Sequence, residues 1–323
     1  MLSETYIFMT SERIDSGLHE LTAADDRLAL LIIIADYAAI VGIALLAIVV
    51  HHPLTTLVAI GCIAGRQVAF LNLVHAAAHY TLFSKKRINN WIDLVIGYPI
   101  LVRIRPYRLF HLLHHRDIAL RSPDRFDYLY AQLPRPDADT WLRAWHVIVK
   151  PLLGWAGVGF VWGAIRGALK NPRVGLKLGV YWIVLIVGFW RVGWLGFFVT
   201  YWIVPLVWLY PVFFFWAEMT DHYAVRDEAR NQCGLFYALF IKGHEMYHAV
   251  HHRYPRIPFY RIRAANSYLR SMGENIEESR GFVDLVRILC RRAPIAIAAN
   301  SGVAPAAVEF SGGSSDILRD VLH

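Results

Sequence analysis

The sequence predicts an all-α integral membrane protein with four transmembrane helices in two hairpins and a helical cytoplasmic cap. Three observations carry that prediction. Hydrophobic residues make up 56% of the 323-residue chain and charged residues only 18%, against about 45–50% and about 25% in typical soluble domains. Four apolar stretches approach or exceed the length needed to cross a bilayer, and they fall in two closely spaced pairs. Lys and Arg crowd the two long segments that follow those pairs, the asymmetry that marks cytoplasmic loops.

The elements follow in order. Residues 1–27 are expected to form a cytoplasmic N-terminal segment. Glu4, Glu12, Asp15, Glu20, Asp25 and Asp26 break up its apolar runs and argue against a secretory signal. Leu28–Val50 is 23 residues with one charge, and at 1.5 Å per residue it spans about 35 Å. His51, His52 and Pro53 turn the chain, and Leu54–Leu73 runs back. The polar, arginine-rich stretch from Lys85 to Thr140 follows; within it Trp91–Val102 is too short to span and is expected at the interface. Trp141–Lys170, interrupted by Lys150 and Arg166, reads as one or two helices lying on the membrane surface. Val174–Trp190 and Trp194–Trp216 form the second hairpin, with Pro205 and Pro211 inside its last helix. Residues 28–290 read as one membrane domain, and 291–323, rich in Ala, Gly and Ser, as a flexible tail.

Charge and cysteines exclude other classes. The net charge of +8 lies between apolar runs rather than along one soluble face, so it points to membrane topology and not to nucleic acid. Cys62, Cys233 and Cys290 are odd in number and form no CxxC pair, so they read as reduced and inert. Two charges fall within the first hairpin. Asp36 and Arg66 come out at similar depths on adjacent antiparallel helices, and buried membrane charges need partners. They are expected to pair, with Gln67 and Asn72 beside them lining the upper part of a substrate tunnel.

The 15 histidines carry the chemistry. His75 and His79 are spaced i, i+4, while His111–His114–His115 and His248–His251–His252 share the spacing HxxHH. At this histidine content a given position begins HxxHH by chance with probability on the order of 10⁻⁴. On a helix, residues at i, i+3 and i+4 share a face, so each box can aim two or three imidazoles at one place. All three boxes follow the cytoplasmic ends of the hairpins, at one depth. Eight imidazoles exceed the coordination of one ion and suit two; nitrogen donors without thiolate fit iron better than a closed structural zinc site. His222 lies at the same depth, with Glu218 four residues earlier as a possible ligand or supporting carboxylate. His244, one turn before His248, is a further ligand or supporting candidate. His19, His51, His52, His146 and His323 lie in no box and read as spectators.

HxxxH, HxxHH and a late HxxHH in this order around two hairpins resemble the membrane fatty acid desaturase family, from about Leu71 to Ile262. Phe110–Arg116 (FHLLHHR) with Ser122, Pro123 and Asp124 downstream is similar to the family's second box, and His251–Tyr260 (HHRYPRIPFY) to its third. The resemblance implies a non-haem di-iron centre of two Fe and O2 as co-substrate. It also implies two external electrons and a lipid or acyl substrate. It gives His75, His79, His111, His114, His115, His222, His248, His251 and His252 as the ligand set. The sequence departs from the acyl-CoA desaturases at Glu218, where they carry Asn. It contains no HPGG segment and no cysteine cluster. An external electron donor, such as ferredoxin and its reductase, is therefore expected at the basic cytoplasmic face. Desaturation of an acyl chain is the expected reaction. The alternatives are a hydroxylase or ketolase on the same scaffold, a zinc-dependent membrane hydrolase, and a membrane binding protein without catalysis.

Overall fold

A computed structural model describes residues 16–119, 139–223, 225 and 227–291. Ser122, Pro123, Asp124 and all but the first residue of the expected tail lie outside the described residues. The chain is mostly helical. Among the described residues the exception to an all-α reading is a two-stranded parallel sheet, β1 (Asn231–Cys233) with β2 (Glu278–Arg280), in which Gln232 pairs with Ser279.

The first hairpin is α1 (Asp26–Val50) and α2 (Pro53–Ala78). α1 begins two residues earlier than expected because Asp25 caps it: its carboxylate accepts from the N–H groups of Arg27 and Leu28, both at 3.0 Å. His52 does the same for α2, its Nδ1 accepting from Leu54 N–H at 3.2 Å, with Pro53 at the first helical position. The His52 side chain is thus structural. α1 leaves Leu30, Leu31, Ile34, Leu45, Leu46 and Val49 exposed, a face suited to lipid; α2 is buried almost throughout from Ala59 onward.

The expected pair of Asp36 with Arg66 forms. Arg66 Nη1 lies 3.2 Å from Asp36 Oδ1, and Asp36 is only 3% exposed. The pair has further partners: Arg66 Nη2 donates to the Ala238 carbonyl at 2.7 Å, and His244 Nε2 lies 2.6 Å from Asp36 Oδ2. Gln67 donates to the Trp202 carbonyl at 2.9 Å, and Asn72 turns toward Glu245.

After the hairpin, short helices at Lys86–Trp91 and Asp93–Ile96 and a turn at Tyr98–Ile100 lead to α3 (Ile104–Ala119). Next come α4 (Thr140–Lys170), α5 (Pro172–Arg191) and α6 (Leu195–His222). Among the described residues five helices are long and apolar enough to cross a membrane, one more than expected. The additional one is α4, whose first part winds through two π-turns, Trp145–Val149 and Pro151–Trp155. Pro151 has no N–H for the Val147 carbonyl, and the Trp216 indole donates there instead at 2.7 Å. The Trp208 indole reaches the Leu152 carbonyl at 2.8 Å, while Trp182 and Trp202 hold the carbonyls of Tyr98 and Pro99. The dense tryptophans of the second hairpin thus fasten irregular backbone to it.

Three further helices follow in the described chain: α7 (His248–Arg253), α8 (Ile262–Ser271) and, after β2, α9 (Gly281–Cys290). α7 and α8 share a second core of Ala249, Val250, Ile257, Ile262, Ala265 and Leu269. Leu18, from the expected N-terminal segment, is fully buried in it.

Candidate metal centre

Four elements carry the boxes to one place. His75 sits in the last turn of α2 and His79 caps it. α3 carries the second box and is fixed at both ends of its first turns. Asp93 Oδ1 accepts from Ile104 N–H at 3.0 Å. Arg108, one turn before His111, donates from Nε to the Ala78 carbonyl (2.8 Å), from Nη2 to Ala77 (2.9 Å) and from Nη1 to Asn90 (2.7 Å). A cation on the open carbonyls of a helix end is favourable, and here it locks the second box onto the first. α7 carries the third box, and His222 is the last residue of α6.

The nine imidazoles meet in two sets. One ring nitrogen each from His75, His79, His111, His115 and His251 lies within 4.8 Å of the others, and so do those of His114, His222, His248 and His252. Each HxxHH box is divided: its outer histidines go to one set and its middle histidine to the other. The sets adjoin, with His115 stacked on His252 at 4.2 Å between ring centroids.

The spacing fits ions. Within the first set, Nε2 atoms of His111 and His115 are 2.9 Å apart, and those of His115 and His251 are 3.0 Å. Within the second, His222 Nε2 lies 3.2 Å from both His114 and His248, and His248 lies 3.0 Å from His252. Two nitrogens each about 2.1 Å from a shared ion, at right angles, would be about 3.0 Å apart. The buried Nε2 atoms of His75 and His79 have no hydrogen-bond partner in the protein, a costly state for polar atoms unless a ligand engages them. Burial first, then neighbouring cationic groups, lowers the pKa of His79, His111, His115, His248, His251 and His252 well below the usual value. Neutral imidazole is the form that binds metal.

The far sides of the rings are held as well. Glu245 reaches Nδ1 of both His75 (2.5 Å) and His248 (2.8 Å), and the Glu228 carbonyl lies 2.9 Å from His222 Nδ1. Such partners fix which nitrogen faces the ion. Lys242 and Asp221 form a buried pair at 2.6 Å behind the second set, and Gln232 donates to the other oxygen of Asp221. Burial opposes the Lys242 charge, but Asp221, Glu245 and Glu218 outweigh it and hold its pKa above the usual range.

Two candidates lie elsewhere. Glu218 is half-buried one turn before His222 but belongs to neither set. His244 is not on the ligand helix, since α7 begins only at His248. It follows Gly243, whose φ of +54° and contact with Ala69 leave no room for a Cβ, and its ring faces Asp36. His19, His51, His52 and His146 also belong to neither set; His323 lies outside the described residues. Sequence reading missed Glu245 and Arg108. The only signals for them were a carboxylate three residues before one box and a guanidinium three residues before another.

Residues 27–279 match the model of the family described as fatty acid desaturase. The chain belongs to the fatty acid desaturase family. It is similar to dihydrorhizobitoxine desaturase of Bradyrhizobium elkanii, at 27% identity over 79% of this chain and 78% of that one. It is also similar to sn-1 oleoyl-lipid 12-desaturase of Arthrospira platensis, at 22% identity over 63% of this chain and 65% of that one. Within the fatty acid desaturase family the chain is an oxidoreductase.

Proposed function

We propose that this chain is an O2-dependent di-iron desaturase of a fatty acyl chain or related lipid, working at the cytoplasmic face of a membrane. The observation that carries the reading is the convergence of nine imidazoles, on seven buried and two partly buried histidines, into adjoining sets of five and four. Two ions, donors of nitrogen only, and no thiolate suit iron. On this reading the nine histidines are the ligands: His75, His79, His111, His115 and His251 of one ion, and His114, His222, His248 and His252 of the other. Bound iron would supply the reduction of O2 that removes two hydrogens from neighbouring carbons. The balance is –CH2–CH2– + O2 + 2e⁻ + 2H⁺ → –CH=CH– + 2H2O, the two electrons coming from an external donor such as ferredoxin and its reductase. The chain's own part is to present neutral Nε2 atoms, to hold the rings through Glu245 and the Glu228 carbonyl, and to keep bulk water out. The relatives' names have desaturation in common and differ in substrate, dihydrorhizobitoxine in one and an oleoyl lipid in the other.

Parity supports four crossings. His79 ends α2 and His222 ends α6, and the sets containing them adjoin. Both ends must therefore lie on one side of the membrane, so an even number of α4, α5 and α6 crosses. α5 and α6 are the hairpin; α4, with its π-turns, Lys150, Arg166 and exposed Trp141, Trp145, Trp155 and Trp162, lies along the surface. The segments rich in Lys and Arg then fall on the cytoplasmic side.

The test is mass spectrometry of lipids and small metabolites from cells with and without the chain. A product 2 mass units lighter than its precursor, dependent on O2, is expected. A product 16 units heavier instead would identify a hydroxylase, and turnover that needs neither O2 nor electrons would identify a hydrolase.

A further inference from the structure

One carboxylate touches both sets of imidazoles. Glu245 is 4% exposed, and its two oxygens go to different rings: Oε2 to Nδ1 of His75 at 2.5 Å, Oε1 to Nδ1 of His248 at 2.8 Å. His75 belongs to the set of five and His248 to the set of four. A carboxylate accepts and cannot donate when ionised, so each of these rings must carry its proton on Nδ1 and offer the lone pair of Nε2 inward. Glu245 therefore selects the tautomer in both sets at once.

The carboxylate is itself held from the membrane helices. Asn72 Nδ2 donates to Oε2 at 3.3 Å, while Asn72 Oδ1 accepts from His244 N–H at 3.3 Å. The His244 ring lies 2.6 Å from Asp36, which is paired with Arg66. Gly243 is pressed on Ala69 of α2. The turn that bears Glu245 is thus clamped to both helices of the first hairpin, and neither oxygen can swing away without breaking a buried hydrogen bond.

We propose that Glu245 is a positioning residue shared by the two metal sites, so that its loss weakens the binding of both ions rather than one. This rests on the di-metal reading above. Partners that orient a metal-bound histidine typically contribute about 10–100-fold in metal affinity. His79 provides the contrast: it belongs to the set of five and does not contact Glu245.

The experiment is titration of detergent-purified, chelator-stripped protein with Co(II), following the visible ligand-field bands and the bound cobalt per chain. The wild type is expected to bind two ions. Glu245→Gln keeps the shape but offers one ring a neutral, weaker acceptor and the other an NH2 group that cannot accept, so it is expected to weaken both steps, by up to about 10–100-fold in metal affinity, and to alter both sets of bands. His79→Ala is expected to weaken one step and leave the bands of the other unchanged. Glu245→Gln binding two ions as the wild type does, or losing only one step, would overturn the shared role. Should Glu245→Gln fail to fold, Glu245→Asp asks the same question with the charge retained: a shortened carboxylate cannot span both rings, and unchanged binding in that variant overturns the proposal equally. A wild type that takes up one ion or none defeats the di-metal reading itself, whatever the variants do.

Discussion

Arg108→Ala tests whether the second histidine box is held by the end of the first helical hairpin. The Arg108 side chain is half-buried, makes three hydrogen bonds of 2.7–2.9 Å, and stacks 3.9 Å from the centre of the Tyr80 ring. Hydrogen bonds from charged donors contribute about 1.5–3 kcal/mol each, and the low end applies where water can reach the freed carbonyls. Allowing for that solvent and for non-additivity, the loss is about 3–4 kcal/mol, a large fraction of a stability of about 5–15 kcal/mol. Because His111, His114 and His115 ride on the same helix, metal retention should fall with it. The assays are thermal unfolding in detergent and bound iron per chain after gel filtration. Arg108→Lys keeps the charge but not the planar fork, so one of the three contacts should return and stability should recover by about 1 kcal/mol. Wild-type unfolding temperature and iron content in Arg108→Ala would refute the account, since they would mean that α3 is placed by packing alone.

Three further outcomes follow from the same geometry. Asp36→Ala leaves Arg66 without its carboxylate inside the hairpin and should cost about 3–5 kcal/mol; adding Arg66→Met should recover most of that loss in thermal unfolding, and no recovery would count against a paired charge. For pH, the six buried imidazoles have folded pKa values below the unfolded value near 6.5. The unfolded chain then takes up protons that the folded one refuses, so stability should hold above about pH 6.5 and decline as pH falls below it; a metal-free protein that grows more stable from pH 7 to 5 would contradict this. Glu218→Gln, lying outside both sets, should keep two ions per chain, and loss of one ion would make Glu218 a ligand.

Much of this site is legible in the sequence, and the parts that are not share a cause. Spacing exposed the nine imidazoles because i, i+4 neighbours on a helix are local facts. Depth along the hairpins linked Asp36 to Arg66 for the same reason, since a uniform rise per residue converts position into height. Glu245, Arg108 and the true orientation of His244 depend on where one helix ends and the next begins. α7 starts at His248 rather than a turn earlier, so the periodicity that would place His244 beside the ligands does not apply. Likewise nothing local in α4 announces that its first part would wind into π-turns, because the Trp208 and Trp216 indoles on another helix donate to its carbonyls.

The division of each HxxHH box has a geometric origin. At 3.6 residues per turn, successive residues are about 100° apart, so i and i+4 lie about 40° from each other while i+3 lies about 100° from i+4. The outer pair can meet at one ion; the middle ring points well to the side and serves a second. His111 and His115 take the first set and send His114 to the other; His248 and His252 take the second and return His251. The HxxxH box has only the narrow 40° arc, and both its rings stay in one set. Two boxes of the wide kind, facing each other, therefore generate two adjoining sites by exchange of their middle residues, three rings each. His75 and His79 raise one set to five, and His222 raises the other to four. The unequal counts leave the set of four with fewer protein donors, which on the proposed function is where an open coordination position belongs. A Glu218 variant that changes the product without changing metal content would place the reacting carbon beside that set, and one that changes neither would remove the reason to look there.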